Sequence, residues 1–155
     1  MKKLVLIILF LGSFSLQAQN DGSQKPVEPT LQVAKAFEKD FPKTTPVWRQ
    51  EFDGDNNTQL SYEADFSVNG TNMTAVYDAL GNFKVLQIEM KPAEIPAKIS
   101  KYMAKNYPKN NIKKAAKLMT NDNKVTYEIG ITINSKWVDA VFNKEGDFLE
   151  MVSKD

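Results

Sequence analysis

Few residues in this sequence have the types and the spacing that catalysis would need. Glu63 and Asp65 lie two positions apart in a stretch of alternating apolar and polar residues, so they share one face of a strand. Paired carboxylates act as acid and base when their surroundings shift one pKa, but the sequence predicts no buried neighbour, and we expect an exposed acidic strand face. No serine stands in a nucleophile-elbow sequence, and no glycine loop could hold a phosphate. The sequence therefore predicts that the protein is not an enzyme.

Residues 53–57, Asp-Gly-Asp-Asn-Asn, begin like a calcium-binding loop. The EF-hand pattern also needs glycine at position six and glutamate at position twelve, where this chain has Thr58 and Ala64. The chain contains no cysteine and no histidine, which removes thiolate nucleophiles, imidazole bases and the usual ligands of zinc, copper and haem. We therefore interpret residues 53–57 as a polar hairpin loop and expect neither a metal nor a cofactor.

Residues 1–18 have the three parts of a secretory signal peptide. Two lysines supply a positive start, an apolar run follows, and Ala18 stands where cleavage would occur. The apolar run is shorter than the roughly 20 residues that span a bilayer, and no cysteine is present for a lipid anchor. The sequence predicts a periplasmic or secreted protein that begins near Gln19, has a flexible segment at 19–28 and does not span a membrane.

Lysines are concentrated in one part of the sequence, where seven of them and no acidic residue occur between residues 98 and 117. One interpretation is contact with anionic lipopolysaccharide, membrane or nucleic acid. The other is a solvated helix face that is attracted to the more acidic first half of the chain. The lysines are not interleaved with arginine or with stacking aromatic residues, and the whole chain has 20 basic against 19 acidic residues. We therefore expect no nucleic-acid partner.

Three segments of the sequence recur in the same order. At offsets of 65 or 66 residues, 37–43 matches 103–109, 62–63 matches 127–128, and 75–83 matches 140–148. Collinear matches of this kind indicate an internal duplication. The sequence predicts two repeats, at 29–91 and at 94–153.

Each repeat begins with a predicted helix, near 30–41 in the first and near 96–106 in the second. Both helices have apolar residues at a spacing of four and end before a proline. Strands of alternating polarity follow, and Asn69-Gly70 predicts a two-residue hairpin turn, as Asn134-Ser135 does in the second repeat. The predicted fold class is α+β: two tandem α-β-β-β-β repeats, with the helices on one face of an antiparallel sheet and the other face open.

These motifs together resemble a known family. The helix ending in Phe-Pro or Tyr-Pro, the tryptophan strand, the Tyr-Glu strand, the Asn-Gly turn and the Asp-x-x-Gly-x-Phe turn are similar to those of the periplasmic PepSY-like, β-lactamase-inhibitor-like proteins of Bacteroidetes. The resemblance covers nearly the whole chain after the signal peptide. It implies that the two repeats form one continuous concave sheet with a protein-binding or inhibitory role. The true β-lactamase inhibitory proteins carry disulfides that this chain lacks, so no inhibitory residue is carried over.

Trp137 is the most informative single residue for binding. Its neighbours in the strand match core positions of the first repeat, so strand alternation puts Trp137 on the open face. Tryptophan concentrates binding energy at interfaces; packing at the junction between repeats or under a loop is the alternative. An exposed indole would contribute little to stability, whereas Trp48 is predicted to be a core residue. The candidate binding residues are Trp137, Asp139, Val141, Thr132 and Glu128.

Two functions remain open at this point. The first is a non-enzymatic protein-binding or inhibitor-like module that uses the open sheet face, with another periplasmic or cell-envelope protein as its partner. This function requires an aromatic patch on that face. The alternative is a small-ligand or lipid-binding envelope protein, which requires an apolar cavity between the helices and the sheet.

Overall fold

The computed structural model describes residues 27–53 and 59–153. The predicted signal peptide and most of the segment at 19–28 lie outside the described residues, as does most of the loop at 53–57. Two helices and eight strands follow one another as α1 (Leu31–Asp40), β1 (Val47–Asp53), β2 (Gln59–Val68), β3 (Thr71–Asp78), β4 (Phe83–Glu89), α2 (Ala97–Asn106), β5 (Lys114–Thr120), β6 (Val125–Ile133), β7 (Lys136–Asn143) and β8 (Phe148–Ser153). A short 3-10 turn at Pro92–Glu94 precedes α2. The predicted α+β fold class is confirmed.

All eight strands belong to one open antiparallel sheet, and they are adjacent in the order in which they occur in the chain. Hairpin turns join β2 to β3 and β6 to β7. Asn69 and Gly70 both have positive φ, and so do Asn134 and Ser135, which is the backbone conformation of a type I′ turn. The sheet runs without interruption from the first half of the chain into the second, because Glu89 of β4 pairs with Ala116 of β5.

The strand register divides the side chains of the sheet into two sets. Residues that pair directly across strands point to the same face, and alternate residues along a strand point to opposite faces. We name the two faces after Glu63 and Ala64, which are neighbours in β2. The Ala64 face includes Trp48, Tyr62, Phe66, Ala75, Tyr77, Ile88, Ala115, Tyr127, Ile129, Ile131, Ala140 and Phe142. The Glu63 face includes Arg49, Asp65, Thr74, Val76, Val85, Gln87, Ala116, Leu118, Glu128, Gly130, Thr132, Trp137, Asp139 and Val141.

Helix α1 begins at a capped end and stops before a proline. The hydroxyl of Thr30 accepts a hydrogen bond from the backbone N–H of Val33 at 3.4 Å, as an N-cap residue does. Residue 41 leaves the helical conformation because a proline follows it. The buried residues of α1, Val33 and Phe37, pack against Tyr62, Ala64, Phe66, Ala75 and Tyr77. Trp48 is half-buried beside this cluster, with its ring 5.4 Å from that of Phe37, which agrees with the predicted core position.

Helix α2 also ends before a proline, but no side chain caps its first turn. It follows Pro96 and ends at Asn106, two residues before Pro108. Its buried residues, Ile99 and Met103, pack in one cluster with Ala115, Ile129, Ile131, Ala140 and Phe142. Within the described part of the chain, no helix is long and apolar enough to cross a membrane.

Candidate binding surface

The single arginine of the chain holds two acidic side chains on the Glu63 face. Arg49 Nε donates to Asp65 Oδ2 at 2.6 Å and Arg49 Nη2 donates to Asp65 Oδ1 at 2.9 Å. The same Nη2 lies 2.9 Å from Glu63 Oε2, and the hydroxyl of Thr74 donates to Asp65 Oδ1 at 2.7 Å. Arginine suits this position because its planar guanidinium can bind two carboxylates with several parallel hydrogen bonds.

The pKa of Arg49 reflects both its burial and its partners. Burial alone would lower this pKa, but the hydrogen bond to Asp65 and the charges of Glu63 and Asp65 outweigh it and raise the pKa. The raised pKa keeps the guanidinium charged at neutral pH. Its charge and its donors stabilise two carboxylates in positions where an isolated charge would be costly.

The expectation that Glu63 and Asp65 form an exposed acidic face is wrong. Glu63 is 2% exposed and Asp65 is 9% exposed. The alternating pattern of β2 assigned both residues to water because it ignores the neighbouring strand. Arg49 pairs directly with Glu63 across the β1–β2 ladder, so the cation and the two acids bury one another.

An apolar cluster occupies the centre of the Glu63 face. Val76, Val85, Ala116 and Leu118 pack together, and each is no more than 6% exposed. No residue of α1 or α2 belongs to this cluster among the described residues. We call these four residues the apolar strip; it joins β3 and β4 to β5, where the two halves of the sheet meet.

Trp137 lies at the far end of the same face, over a glycine. The indole is half-buried, and its Nε1 donates to Asp139 Oδ1 at 2.9 Å. A Cβ added to Gly130 would lie 2.5 Å from Trp137 Cζ2, so the ring fits only where a side chain is missing. Trp137 is therefore not a bare surface indole, and its packing revises the expectation that it adds little to stability.

The register brings the five candidate binding residues together on the Glu63 face. Thr132 pairs with Trp137, and Glu128 pairs with Val141. Their burial differs from the expectation of a wet surface, because Asp139, Val141 and Glu128 are 1%, 4% and 8% exposed. Trp137 and Thr132 are half-buried and form the accessible part of the set. Of the three buried residues, Asp139 contacts the indole directly, through the hydrogen bond from Nε1.

Several residues of the Glu63 face, in both halves of the chain, were not identified from the sequence. Arg49 and Thr74 went unnoticed, as did the apolar strip. One signal was available for Arg49: it is the only arginine in a chain that otherwise uses lysine, and arginine is the residue that suits buried pairing with carboxylates. The apolar strip had no comparable signal, since its residues look like ordinary strand residues until the register is known.

The lysine-rich stretch from 98 to 117 does not lie on one face of the molecule. Lys98 of α2 forms an ion pair with Asp147 at 2.5 Å. Lys114 pairs with Gly130 on the Glu63 face, whereas Lys117 pairs with Tyr127 on the Ala64 face. The distribution agrees with solvated positions that are spread over a helix and a strand.

A cleft of about 310 Å³ lies where the β2–β3 turn, the 3-10 turn and the start of β5 meet. Charged residues are prominent in its lining, among them Glu89, Lys91, Glu94, Lys113 and Lys114. It is not an apolar cavity beneath the helices. No group of three or more acidic side chains that could hold a metal ion occurs in the described ranges 27–53 and 59–153.

Comparisons with known proteins identify structural neighbours. No protein-family profile matches the sequence, and no curated protein matches it. The fold is similar to that of a protein from Bacteroides eggerthii described as periplasmic, with a TM-score of 0.70 at 16% identity over 82% of this chain and 90% of that one. A DUF2874 family protein from Bacteroides ovatus has a TM-score of 0.69 at 14% identity over 82% and 89%.

A third neighbour is a BLIP-like protein from Bacteroides fragilis, with a TM-score of 0.63 at 20% identity over 82% of this chain and 87% of that one. The TM-scores of these three neighbours establish a shared fold. The predicted resemblance to inhibitor-like proteins of Bacteroidetes is confirmed at that level.

Proposed function

We propose that this protein is an exported, non-enzymatic, protein-binding or inhibitor-like module that acts through the Glu63 face. One observation carries the proposal: the apolar strip lies at the centre of a sheet face whose residues do not pack with the described helices. Charged clusters flank it on both sides, with Arg49 at one end and Asp139 at the other. The strip itself is nearly fully buried, so a partner would contact the accessible residues of the same face, Trp137 and Thr132 among them.

The proposed architecture is two tandem repeats, at 29–91 and at 94–153, with both helices on the Ala64 face and the Glu63 face open and concave. Equivalent irregularities support it, since β-bulges follow both Val76 and Val141 at an offset of 65 residues. Gly81 and Gly146, at the same offset, both have positive φ. The strand residues that pack with α1 and with α2 all belong to the Ala64 face by register.

Within the Glu63 face, we assign the anchoring role to Trp137, with Thr132 beside it. Both are accessible, and tryptophan is enriched among the residues that dominate binding energy. Asp139 orients the indole through the hydrogen bond to Nε1. Glu128 and Val141 complete the surface from buried positions.

The proposed location is the periplasm or the medium, and the protein is not expected to span a membrane. The pattern of residues 1–18 supports export, and a neighbour of the same fold is described as periplasmic. The PepSY-like relationship is part of the same proposal. The cleft at the β2–β3 turn, among the described residues, has charged walls, which suit a lipid less well than an apolar cavity would.

Site-specific photo-crosslinking tests the proposed function. Benzoylphenylalanine at position 132 lies on the Glu63 face, and the same residue at position 101 lies on the exposed surface of α2. We expect Thr132→benzoylphenylalanine to give a covalent adduct with a defined envelope protein, and we expect Trp137→Ala to reduce the yield. Adducts that form from position 101 but not from position 132 would contradict the proposal.

A further inference from the structure

The open sheet has two edge strands, and the chain covers part of only one of them. β1 and β8 lie at the two ends of the strand order. At the β1 edge, the backbone N–H of Val27 donates to the carbonyl oxygen of Trp48 at 3.1 Å. Among the described strands, β8 has β7 as its single neighbour. The outer edge of β8 therefore presents backbone donors and acceptors that can pair with another strand.

The first half of the chain shows what an edge of this kind accepts. β4 corresponds to β8 at an offset of 65 residues, and each forms a bulge with its preceding strand at the same place. The second edge of β4 is filled by β5, which runs antiparallel to it. The N–H of Asn121 donates to the oxygen of Lys84 at 3.0 Å, and the N–H of Met90 donates to the oxygen of Ala115 at 2.8 Å. Alternate residues from Lys84 to Met90 therefore direct their backbone groups towards β5.

The same alternation identifies the outward backbone groups of β8. Lys84 corresponds to Leu149 and Leu86 corresponds to Met151, so the backbone groups of Leu149 and Met151 point away from β7. Leu149 is 43% exposed. β8 contains neither lysine nor proline, the residues with which edge strands often prevent pairing. The free edge of β8 is thus built like the paired edge of β4.

Glu150 gives this edge a charge. It pairs with Val141 of β7 and corresponds to Val85, which pairs with Thr120 of β5 and is fully buried. Glu150 is only half-buried, because the sheet ends beside it. The position lies between the outward hydrogen-bonding residues, where directly opposed side chains approach one another most closely. An acidic side chain at such a position favours a basic residue opposite it.

We infer that the outer edge of β8 binds an extended segment of a partner protein, antiparallel to β8, with a basic residue opposite Glu150. In such strand addition the backbone supplies affinity and the opposed side chains supply specificity. The inference goes beyond binding through the Glu63 face and rests on the proposed tandem repeats. A second copy of the chain fits this edge less well. Its β1 is the counterpart of β5, but Val27 already binds Trp48, the residue that corresponds to Ala115.

The test is an NMR titration of the purified protein with two synthetic peptides, each blocked at both ends. Both peptides have the sequence of residues 114–121, which includes β5, and they carry Thr120→Lys or Thr120→Glu. We expect the lysine peptide to shift the amide resonances of Leu149 and Met151 saturably. It should bind about two- to fivefold more tightly than the glutamate peptide, the scale of a cross-strand charge pair. The absence of shifts in β8 with both peptides would overturn the inference.

Two variants separate the side-chain and backbone contributions. Glu150→Lys should reverse the preference, so that the glutamate peptide binds more tightly, and it thereby controls for the difference in total charge between the peptides. Met151→Pro removes an outward N–H but leaves the ladder with β7, a position where an edge strand tolerates proline. It should abolish the binding of both peptides while the spectrum stays dispersed. An unchanged preference in Glu150→Lys, or undiminished binding by a folded Met151→Pro, would contradict the inference.

Sedimentation of the protein alone tests whether a second copy takes the edge. We expect a monomer, and a dimer that Met151→Pro dissociates would overturn the inference, because it would assign the edge to a second copy. The experiment fails separately from the crosslinking, since position 132 lies on β6, two strands from this edge. Adducts from position 132 without peptide binding at β8 would retain the Glu63 face and reject the β8 edge.

Discussion

Replacing Arg49 with methionine removes the cation that contacts both Glu63 and Asp65 while keeping most of the apolar stem. Methionine can still cover the edge of the sheet, but neither carboxylate regains a donor of equal strength. Glu63, at 2% exposure, cannot turn to water without moving β1 or β2. The change therefore tests whether the ion pairs of Arg49 with Glu63 and Asp65 contribute to the free energy of unfolding.

The size of the effect follows from the contacts. Two hydrogen bonds and one further ion-pair contact, between 2.6 and 2.9 Å, are lost. Removing one partner of a buried ion pair costs about 3–5 kcal/mol. The Arg49 side chain is 20% exposed, so water screens part of the interaction, and we expect a loss of about 2–4 kcal/mol.

Urea denaturation of the wild type, Arg49→Met and the double variant Arg49→Met/Glu63→Gln measures this loss. The double variant should recover part of it, since it no longer buries the second charge; the coupling between the two sites is expected to be about 1–3 kcal/mol. Because the pKa of Arg49 is raised, its contribution is fully present below the ordinary arginine pKa and constant from pH 7 to about 10. A loss below about 0.5 kcal/mol would refute the reasoning, because a change of that size is typical of an exposed residue.

Three further predictions concern the turns and the Trp137 cluster, all measured by denaturant or thermal melts. Gly130→Ala should lower the free energy of unfolding by about 1–3 kcal/mol, because the new methyl group displaces the indole of Trp137. Most of that loss should disappear in a Trp137→Ala background, where the indole is absent. Additive effects of the two substitutions would argue against this packing. Gly81→Ala should lower the free energy of unfolding more than Gly70→Ala. Both glycines have positive φ, but only at Gly81 would the added Cβ meet a backbone carbonyl of α1, at 2.9 Å. Equal losses of stability would mean that the backbone conformation alone decides the effect. Burial alone would raise the pKa of Asp78, but hydrogen bonds from the turn amides and from a lysine lower it. The ionised Asp78 therefore stabilises the fold above about pH 4, and this stabilisation is lost as the pH falls further. The stability advantage of the wild type over Asp78→Asn should shrink on acidification, and an advantage that grows would contradict the lowered pKa.

Local signals were sufficient to predict the elements of the fold. Pro42 and Pro108 marked the ends of both helices, and Asn69-Gly70 marked the first hairpin. These residues restrict the backbone within a few positions of themselves, so their effect does not depend on the rest of the chain. The same locality explains why helix bounds agreed to within about one residue.

The candidate surface depended on information that local patterns do not contain. Strand alternation assigns each residue to a face, but it cannot tell whether that face is wet. Glu63 is buried because the register puts Arg49 opposite it on the neighbouring strand. The same arginine binds Asp65, which lies sixteen positions away in the sequence. Trp137 became half-buried because Gly130, on the neighbouring strand, leaves room for the ring. Both outcomes follow from pairing between strands, which the sequence of one strand does not specify.

Cysteine footprinting in intact cells tests most directly whether a protein partner occupies the Glu63 face. The chain has no native cysteine, so Thr132→Cys and Lys101→Cys each provide one reporter, on the Glu63 face and on α2. The maleimide labelling rate of each is compared between the periplasm and purified protein. Occupation of the face predicts slower labelling in cells at position 132 and no change at position 101. Equal rates in cells and in solution at position 132, or protection at position 101 alone, would contradict the central claim.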